Sequence, residues 1–514
     1  MEKLVAKVWN SLFAVCLTLF SGVLIKAQDP AWLKCQGVLK NPQGVFYSGP
    51  TQVTFAVYGQ PVGGDKLWSE TQNLNLPPDG RFSVTLGQQF RDGHHPYLFT
   101  GRPEDYAHAQ GLWVGVSVNN SPELPMRIQL RTAQPSITTI PSTLFGLAIM
   151  SPSNWPTVSI GALSKGTFVT WPFIEQTQGT YDWSQIDSYL ASAQSHGLTF
   201  YYTNLYIPPW AAADQSSCSP DPNNGVMICT STVSNLTYWQ DYATALVSRY
   251  KGQIMMYELW NEPDQTLTFS GTVSDMISLT NAEHDIIRSI DPSALIASPS
   301  AISSTYMDSY WGSGGTTDVD VVSLHGYPDA LTNDTPETIG GFKTVPLKAL
   351  MVKYGISTKP LWDTEASWGQ YPKASDNQDF RAAFVARHYI LHWANDVVVY
   401  YWYAWDNATW GTLWDPIVGI LEPGEAYQQV ENWLLGAQMP SGCSLNGGTL
   451  YHATYTCKLT LSNGKSAMAV WNTNGSLSYT APTQYTEYRD ILGNLYSIPS
   501  NHNITIGTKP LLLQ

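Results

Sequence analysis

The sequence predicts an α/β fold, a (β/α)8 TIM barrel flanked by an N-terminal small β-domain and a C-terminal β-sandwich. Three observations lead there. Through the middle of the chain short apolar runs alternate with amphipathic stretches, the signature of parallel βαβ units. On either side, polar and apolar residues alternate between turn signals with no helical period. The length, 514 residues, also exceeds what one hydrophobic core accommodates.

The elements follow in chain order. Residues 1–27 place Lys3 and Lys7 before an apolar stretch from Leu12 to Ile25, with Ala27 as the small residue of a cleavage site. A membrane span needs about 20 apolar residues, so the stretch reads as a signal peptide, with an uncleaved N-terminal anchor as the alternative. Residues 28–136 form the small β-domain. Thr51–Tyr58, Arg81–Leu86 and Gly111–Val118 read as strands, and Pro77–Gly80 and Asn119–Pro122 as turns. Residues 137–436 carry the barrel. Its strands are expected at Leu144–Ile149, Thr167–Thr170, Thr199–Asn204, Ile254–Leu259, Leu295–Ser298, Val319–Leu324, Pro360–Thr364 and Val397–Tyr403. Helices are expected between them, at Trp183–His196, Leu236–Arg249, Val273–Ile290, Ile339–Tyr354 and Asp379–Trp393. An open doubly wound sheet competes, but no glycine-rich nucleotide fingerprint follows the first strand. Residues 437–514 return to alternation, with Tyr451–Leu461, Ser466–Asn472 and Tyr485–Asp490 as strands.

Composition narrows the partners. Net charge is −14, which argues against nucleic acid, because phosphate binding needs a basic face. Charged residues are 13% and aromatics 12%, with 20 Trp and 29 Tyr. Such an excess fills β-rich cores, and it also supplies flat faces on which sugar rings stack. Among six cysteines, Cys218 with Cys229 and Cys443 with Cys457 are each spaced to close a short loop in an oxidising compartment. Cys16 falls in the signal and Cys35 is left over. No CxxC or Cys/His cluster points to zinc, and no cofactor is implied. His94, His95 and His388 have no metal-like company.

In an eight-stranded parallel barrel the loops after the C-terminal strand ends build the active site. Two glutamates sit at such ends. Glu262 closes the fourth strand in Tyr257-Glu258-Leu259-Trp260-Asn261-Glu262-Pro263, where Pro263 disfavours helix at the residue before it. Glu365 closes the seventh in Leu361-Trp362-Asp363-Thr364-Glu365-Ala366-Ser367-Trp368-Gly369. Strands four and seven lie nearly across a barrel, so both carboxylates face one ligand. That is the arrangement glycosidic cleavage requires, one group protonating the departing oxygen and the other attacking carbon or activating water. Asn261 can donate to and accept from a sugar hydroxyl. Glu258, four residues deeper on the inner side, reads as a structural polar residue that needs a fixed partner. Glu175 and Asp182 read as shaping a loop and a helix start.

On these residues the middle segment resembles clan A glycoside hydrolases, families 39 and 5 and their relatives. The resemblance rests on Trp260-Asn261-Glu262-Pro263 at the fourth strand and Thr364-Glu365 at the seventh. It implies that Glu262 is the general acid/base, that Glu365 is the nucleophile, and that Asn261 binds the hydroxyl beside the scissile bond. It places a His or Tyr at the end of strand six, here His325 and Tyr327 in Ser323-Leu324-His325-Gly326-Tyr327-Pro328. It also places a Trp at the end of strand eight as a floor under the sugar, here Trp402 or Trp405. Trp171 and Trp210, with Pro209, fall where a cleft wall would lie. Residues 28–134 resemble an accessory β-module of bacterial surface and secreted proteins through Gln36–Leu39, Val53–Tyr58, Leu67–Thr71, Gly80–Gly87 and Leu124–Leu130, which implies no chemistry.

The resulting expectation is a secreted or cell-surface retaining glycoside hydrolase that cleaves β-glycosidic bonds of a polysaccharide or its oligosaccharides by double displacement. A carbohydrate-binding pseudoenzyme and a surface adhesion protein compete. Sugar, linkage, exo or endo action and oligomeric state stay open.

Overall fold

The computed structural model describes residues 33–41, 45–58, 66–86, 112–123, 128–130, 139–164, 169–222, 224–328, 335–369, 377–408, 410–449 and 451–514. The signal segment expected at 1–27 lies outside the described residues, as do His94 and His95. Two compact units divide the chain, residues 1–133 with 348–357, and residues 134–347 with 358–514.

The first unit is built from β1 (Leu33–Val38), β2 (Gly49–Tyr58), β3 (Lys66–Leu76), β4 (Arg81–Leu86), β5 (Leu112–Val118) and β6 (Ile128–Leu130). They form an antiparallel sheet in the order β3-β2-β5-β6 and a separate β1-β4 pair. Alternation decides which side is buried. Val53, Phe55 and Val57 of β2 point inward with Val114, Val116 and Val118 of β5. Phe55 meets Phe82 of β4 with ring centroids 5.8 Å apart. The expected turns are present: Gly80 N–H bonds to the Pro77 carbonyl, and Asn119 and Asn120 both take positive φ.

The second unit holds β7 (Gly146–Ala148), β8 (Ala162–Ser164), α1 (Trp171–Ile174), α2 (Ser184–Ser195) and β9 (Tyr201–Thr203). A hairpin of β10 (Cys218–Pro220) and β11 (Met227–Cys229) follows. Next come α3 (Leu236–Arg249), β12 (Met256–Glu258), α4 (Val273–Ile290), β13 (Leu295–Ala297), α5 (Ser304–Gly312) and β14 (Val322–Leu324). The run continues with α6 (Val345–Lys353), of which 348–353 group with the first unit, then β15 (Leu361–Ala366), α7 (Gln378–Ala394) and β16 (Val397–Trp402). A small pair, β17 (Trp414–Asp415) and β18 (Gly419–Ile420), precedes α8 (Glu422–Leu434). The α/β alternation is as expected.

Parallel pairing runs from β7 to β8, through a Leu163–Phe200 bridge to β9, and on to β12 and β13. An Ala297–Val321 bridge leads to β14, then β15, β16 and back to β7. The ladders form two parallel sheets, β13-β12-β9 and β14-β15-β16-β7-β8, with these two single bridges between them. Ala162, Tyr201, Met256, Ala297, Val321, Trp362 and Tyr401, from both sheets and the Ala297–Val321 bridge, belong to one buried cluster. Helices start where their caps lie: Asn235 Oδ1 accepts from Thr237 N–H, and Thr272 forms a capping box with Asp275.

The second strand departs from expectation. It is Ala162–Ser164, not Thr167–Thr170, of which 167 and 168 lie outside the described residues. Val169 and Thr170 are buried, but they lead into α1, with Thr170 at its N-cap. A buried β-branched run thus mimics a strand, while Ala-Leu-Ser is too short and small to be read as one.

After α8 come β19 (Cys443–Thr449), β20 (His452–Thr460), β21 (Ser466–Asn472), β22 (Leu477–Thr480), β23 (Glu487–Arg489), β24 (Leu495–Ser497), β25 (Asn503–Ile506) and β26 (Leu511–Leu513). Six of them form one sheet, β19-β20-β21-β26-β23-β24, and β22 pairs with β25. Met468, Val470 and Leu513 of the sheet pack against Ile504 and Ile506 of the pair. Glu337 ties this layer to α7, taking Arg387 Nη1 and Trp471 Nε1 at 2.9 Å each. Disulfides join Cys218 to Cys229 and Cys443 to Cys457, as the spacings suggested. No helix among the described residues is long and apolar enough to cross a membrane.

Candidate active site

Glu262 stands beyond the end of β12. The chain there leaves the ladder in steps. Asn261 N–H bonds to the Asn204 carbonyl at 3.0 Å and Asn261 bridges Ser300. Pro263 then denies Glu262 the right-handed helical region, and Glu262 takes a left-handed conformation with φ of 46°. For a non-glycine residue this costs energy and persists only where neighbours enforce it. Here its carbonyl accepts from the Gln265 N–H and from the Thr268 hydroxyl.

Glu365 lies near the end of β15, and the tip of β14 supplies partners to both acids. His325 Nδ1 stands 2.7 Å from Glu262 Oε1. The Tyr327 hydroxyl donates to Glu365 Oε1 at 2.9 Å. One oxygen of each glutamate and one nitrogen of His325 lie within 4.8 Å of one another. Atoms this close would suit a cation, but they are already turned on each other and on Tyr327. The group is a hydrogen-bonded acid cluster, and no metal is assigned to it.

The electrostatics follow from burial and charge. Burial pulls the His325 pKa down, but the charge of Glu365, and then the bond to Glu262, push it up by more, to about 9. The ring is therefore an imidazolium at neutral pH, donating to Glu262. Burial, then the Glu365 charge, raises the Tyr327 hydroxyl well above its usual range, so it stays a donor.

Below the pair, Glu258 is buried and held. Its Oε2 accepts from the Thr203 hydroxyl at 2.7 Å and its Oε1 from the Thr364 hydroxyl at 2.5 Å. It is the structural polar residue the pattern suggested. Glu175 closes its loop by accepting from Gly179 N–H at 2.7 Å, and Asp182 accepts from Ser184 N–H at the start of α2. His388 is buried against the Tyr400 hydroxyl at 2.7 Å.

The aromatic assignments fare differently. Trp402, Trp405 and Trp171 are each 0% exposed, so none presents a face to a ligand. Trp402 packs among Trp368, Phe384 and Tyr389 and donates to the Gly411 carbonyl at 2.6 Å. Trp405 stacks on Trp414. Trp171 stacks on Tyr242 and donates to Glu175 Oε2 at 2.6 Å. These three are core residues. Trp210 is half-buried, edge-on to Trp171 and Tyr238, with its Nε1 on the Glu175 carbonyl.

Two aromatics that the sequence did not single out lie in the loops after β16 and β9. Trp410, on the loop after β16, meets Tyr327 edge-on with centroids 5.5 Å apart and is partly exposed. Tyr206, after β9, has φ of 64°. Burial first, then the charges of Asp221, Glu262 and Glu365, raise its hydroxyl to about 12. Neither carries a local signal beyond being aromatic in a βα loop.

Three comparisons bear on the chain. Residues 34–127 match a family model described as a domain of unknown function, DUF8740. No curated protein matches. Among solved structures, a family 39 glycoside hydrolase from the gut symbiont Bacteroides cellulosilyticus WH2 superposes with a TM-score of 0.55 at 13% identity, over 94% of this chain and 97% of that one. A family 39 β-xylosidase from Caulobacter crescentus superposes with a TM-score of 0.51 at 12% identity, over 74% of this chain and 98% of that one. At such identities the likeness is one of fold alone, shared with these two family 39 structures.

Proposed function

We propose that the chain is a secreted retaining glycoside hydrolase acting on β-linked polysaccharide or its oligosaccharides, with residues 137–436 as its (β/α)8 catalytic barrel between an accessory β-domain and a C-terminal β-sandwich. One observation carries the reading. One oxygen of Glu262 and one of Glu365 lie within 4.8 Å of each other, and each glutamate has its own partner on the loop after β14. Retaining pairs stand about 5–5.5 Å apart, whereas inverting pairs leave about 6.5–9.5 Å for a water. The two disulfides support an oxidising, extracellular setting.

The reaction follows from the charges. Glu262 enters the first step as the acid and Glu365 as the nucleophile, with His325 bonded to Glu262. Glu262 gives its proton to the glycosidic oxygen as the bond to the anomeric carbon breaks, and the Glu365 carboxylate bonds to that carbon. Glu262 is now the anion, and its partner imidazolium is already in place. Glu262 next takes a proton from water. The oxygen attacks the anomeric carbon and Glu365 leaves as carboxylate. The cation of His325 thus balances Glu365 before the first step and Glu262 after it. Tyr327 fixes the attacking carboxylate, Asn261 binds a hydroxyl beside the bond, and Trp410 offers an aromatic face beside Tyr327.

The test is a panel of β-linked polysaccharides and aryl β-glycosides, with the anomer of the first product read by NMR. Wild type should release the β-anomer, and Glu262→Gln and Glu365→Gln should lose hydrolysis of unactivated substrates. Full activity in either variant refutes the assignment.

A further inference from the structure

Beneath the acid cluster lies a buried group to which double displacement gives no task. Asp363 stands two residues before Glu365 on β15 and is 0% exposed. Its Oδ1 accepts from the backbone N–H of Glu365 at 3.3 Å and from that of Gly326 at 3.2 Å. Gly326 is the residue between His325 and Tyr327. One carboxylate oxygen therefore joins the tips of the two strands that carry Glu365, His325 and Tyr327.

The ladder itself gives these tips little support. The β14–β15 pairing ends at Leu324–Asp363, and the β15–β16 register breaks between Asp363 and Ala366. Asp363 lies where regular pairing stops. Its other oxygen is held as well. Oδ2 is 2.6 Å from His392 Nε2 on α7, and His392 Nδ1 is 2.7 Å from the His388 carbonyl. A carbonyl only accepts, so Nδ1 carries hydrogen and the ring orientation is set. The space is exclusive, too: a Cβ at Gly326 would meet Asp363 Oδ2 at 2.1 Å and Ile339 Cδ1 at 2.7 Å. Any side chain at 326 displaces the carboxylate or the strand tip.

We propose that Asp363, braced by His392, is a positioning residue that sets the placement of Glu365 relative to His325 and Tyr327. It touches no substrate and acts through two backbone N–H groups. The inference rests on the reading of Glu365 as nucleophile. Asparagine can do the same work: its Oδ1 accepts from both N–H groups, and its Nδ2 donates to Nε2 of the Nδ1–H tautomer of His392. Alanine removes the link, and Gly326→Ala pushes it aside.

The experiment compares kcat and KM of the full chain on an aryl glycoside that wild type hydrolyses, for Asp363→Ala, Asp363→Asn, Gly326→Ala and Glu365→Gln. Misplacing a reacting group by about 1 Å costs on the order of 100-fold, so Asp363→Ala and Gly326→Ala should each lose about that in kcat with KM held within about threefold. Asp363→Asn should stay within about fivefold of wild type, a rescue that loss of packing does not explain. Should Asp363→Ala fail to fold, Gly326→Ala and Asp363→Asn decide. Wild-type kcat in the folded alanine variants, with only a lowered melting temperature, overturns the proposal. So does an asparagine variant as impaired as alanine. Full activity in Glu365→Gln would instead overturn the reading of the site itself.

Discussion

Replacing His325 by glutamine removes a buried cation that two glutamates hold in place. In the folded protein its pKa is about 9, against about 6.5 for an exposed imidazole. The cause is a contest that charge wins: burial lowers it, while Glu365 and the 2.7 Å bond to Glu262 raise it further. At 1.36 kcal/mol per pH unit, the gap amounts to roughly 3 kcal/mol. The folded state binds the proton more tightly, so this stabilisation is full below about pH 6.5, falls as pH rises and is gone above about pH 9. Other groups titrate over the same range, and the variant subtracts them. Urea unfolding of wild type and His325→Gln at about pH 6 and about pH 9.5 should therefore show the stability difference shifting by roughly 3 kcal/mol against wild type at the higher pH. The same ring should set the basic limb of kcat/KM near pH 9 in wild type. A stability difference equal at both pH values would mean a ring neutral throughout, and would refute the charge-balance account.

Two further outcomes are expected. Tyr327→Phe removes a bond to a charged carboxylate worth about 1.5–3 kcal/mol, and kcat should drop about 10- to 100-fold with KM little changed, measured by steady-state kinetics. Glu337→Ala leaves the Arg387 guanidinium, whose side chain is 5% exposed, without its carboxylate, and strips Trp471 Nε1 of its acceptor. Breaking a buried pair this way costs about 3–5 kcal/mol, so the thermal midpoint should fall while kcat of the folded enzyme is kept.

Much of the fold is legible because period and punctuation are local. α3 and α4 begin and end at the residues the pattern names, since Asn235 and Thr272 cap them. The cysteine pairs are close in sequence and face each other across hairpins. The second strand is misread because buried β-branched residues look alike whether they extend into a sheet or enter a helix, as Val169 and Thr170 do. The aromatic roles are misread for a related reason. Trp402 and Trp410 are the same residue type in the same region, and only the layer formed by Trp368, Phe384 and Tyr389 makes the first a core residue.

By itself the sequence determined the α/β alternation, the strands other than the second and, through Asn261-Glu262-Pro263 and Thr364-Glu365, which two carboxylates fall at or just past strand ends. Those are consequences of residue spacing along one chain. Tertiary structure alone decided that His325 serves Glu262 while Tyr327 serves Glu365, that Asp363 links two strand tips through backbone N–H groups, and that Trp410 stands beside Tyr327. Each of those depends on distances of a few ångströms between segments far apart in the chain, and packing, not local pattern, sets such distances.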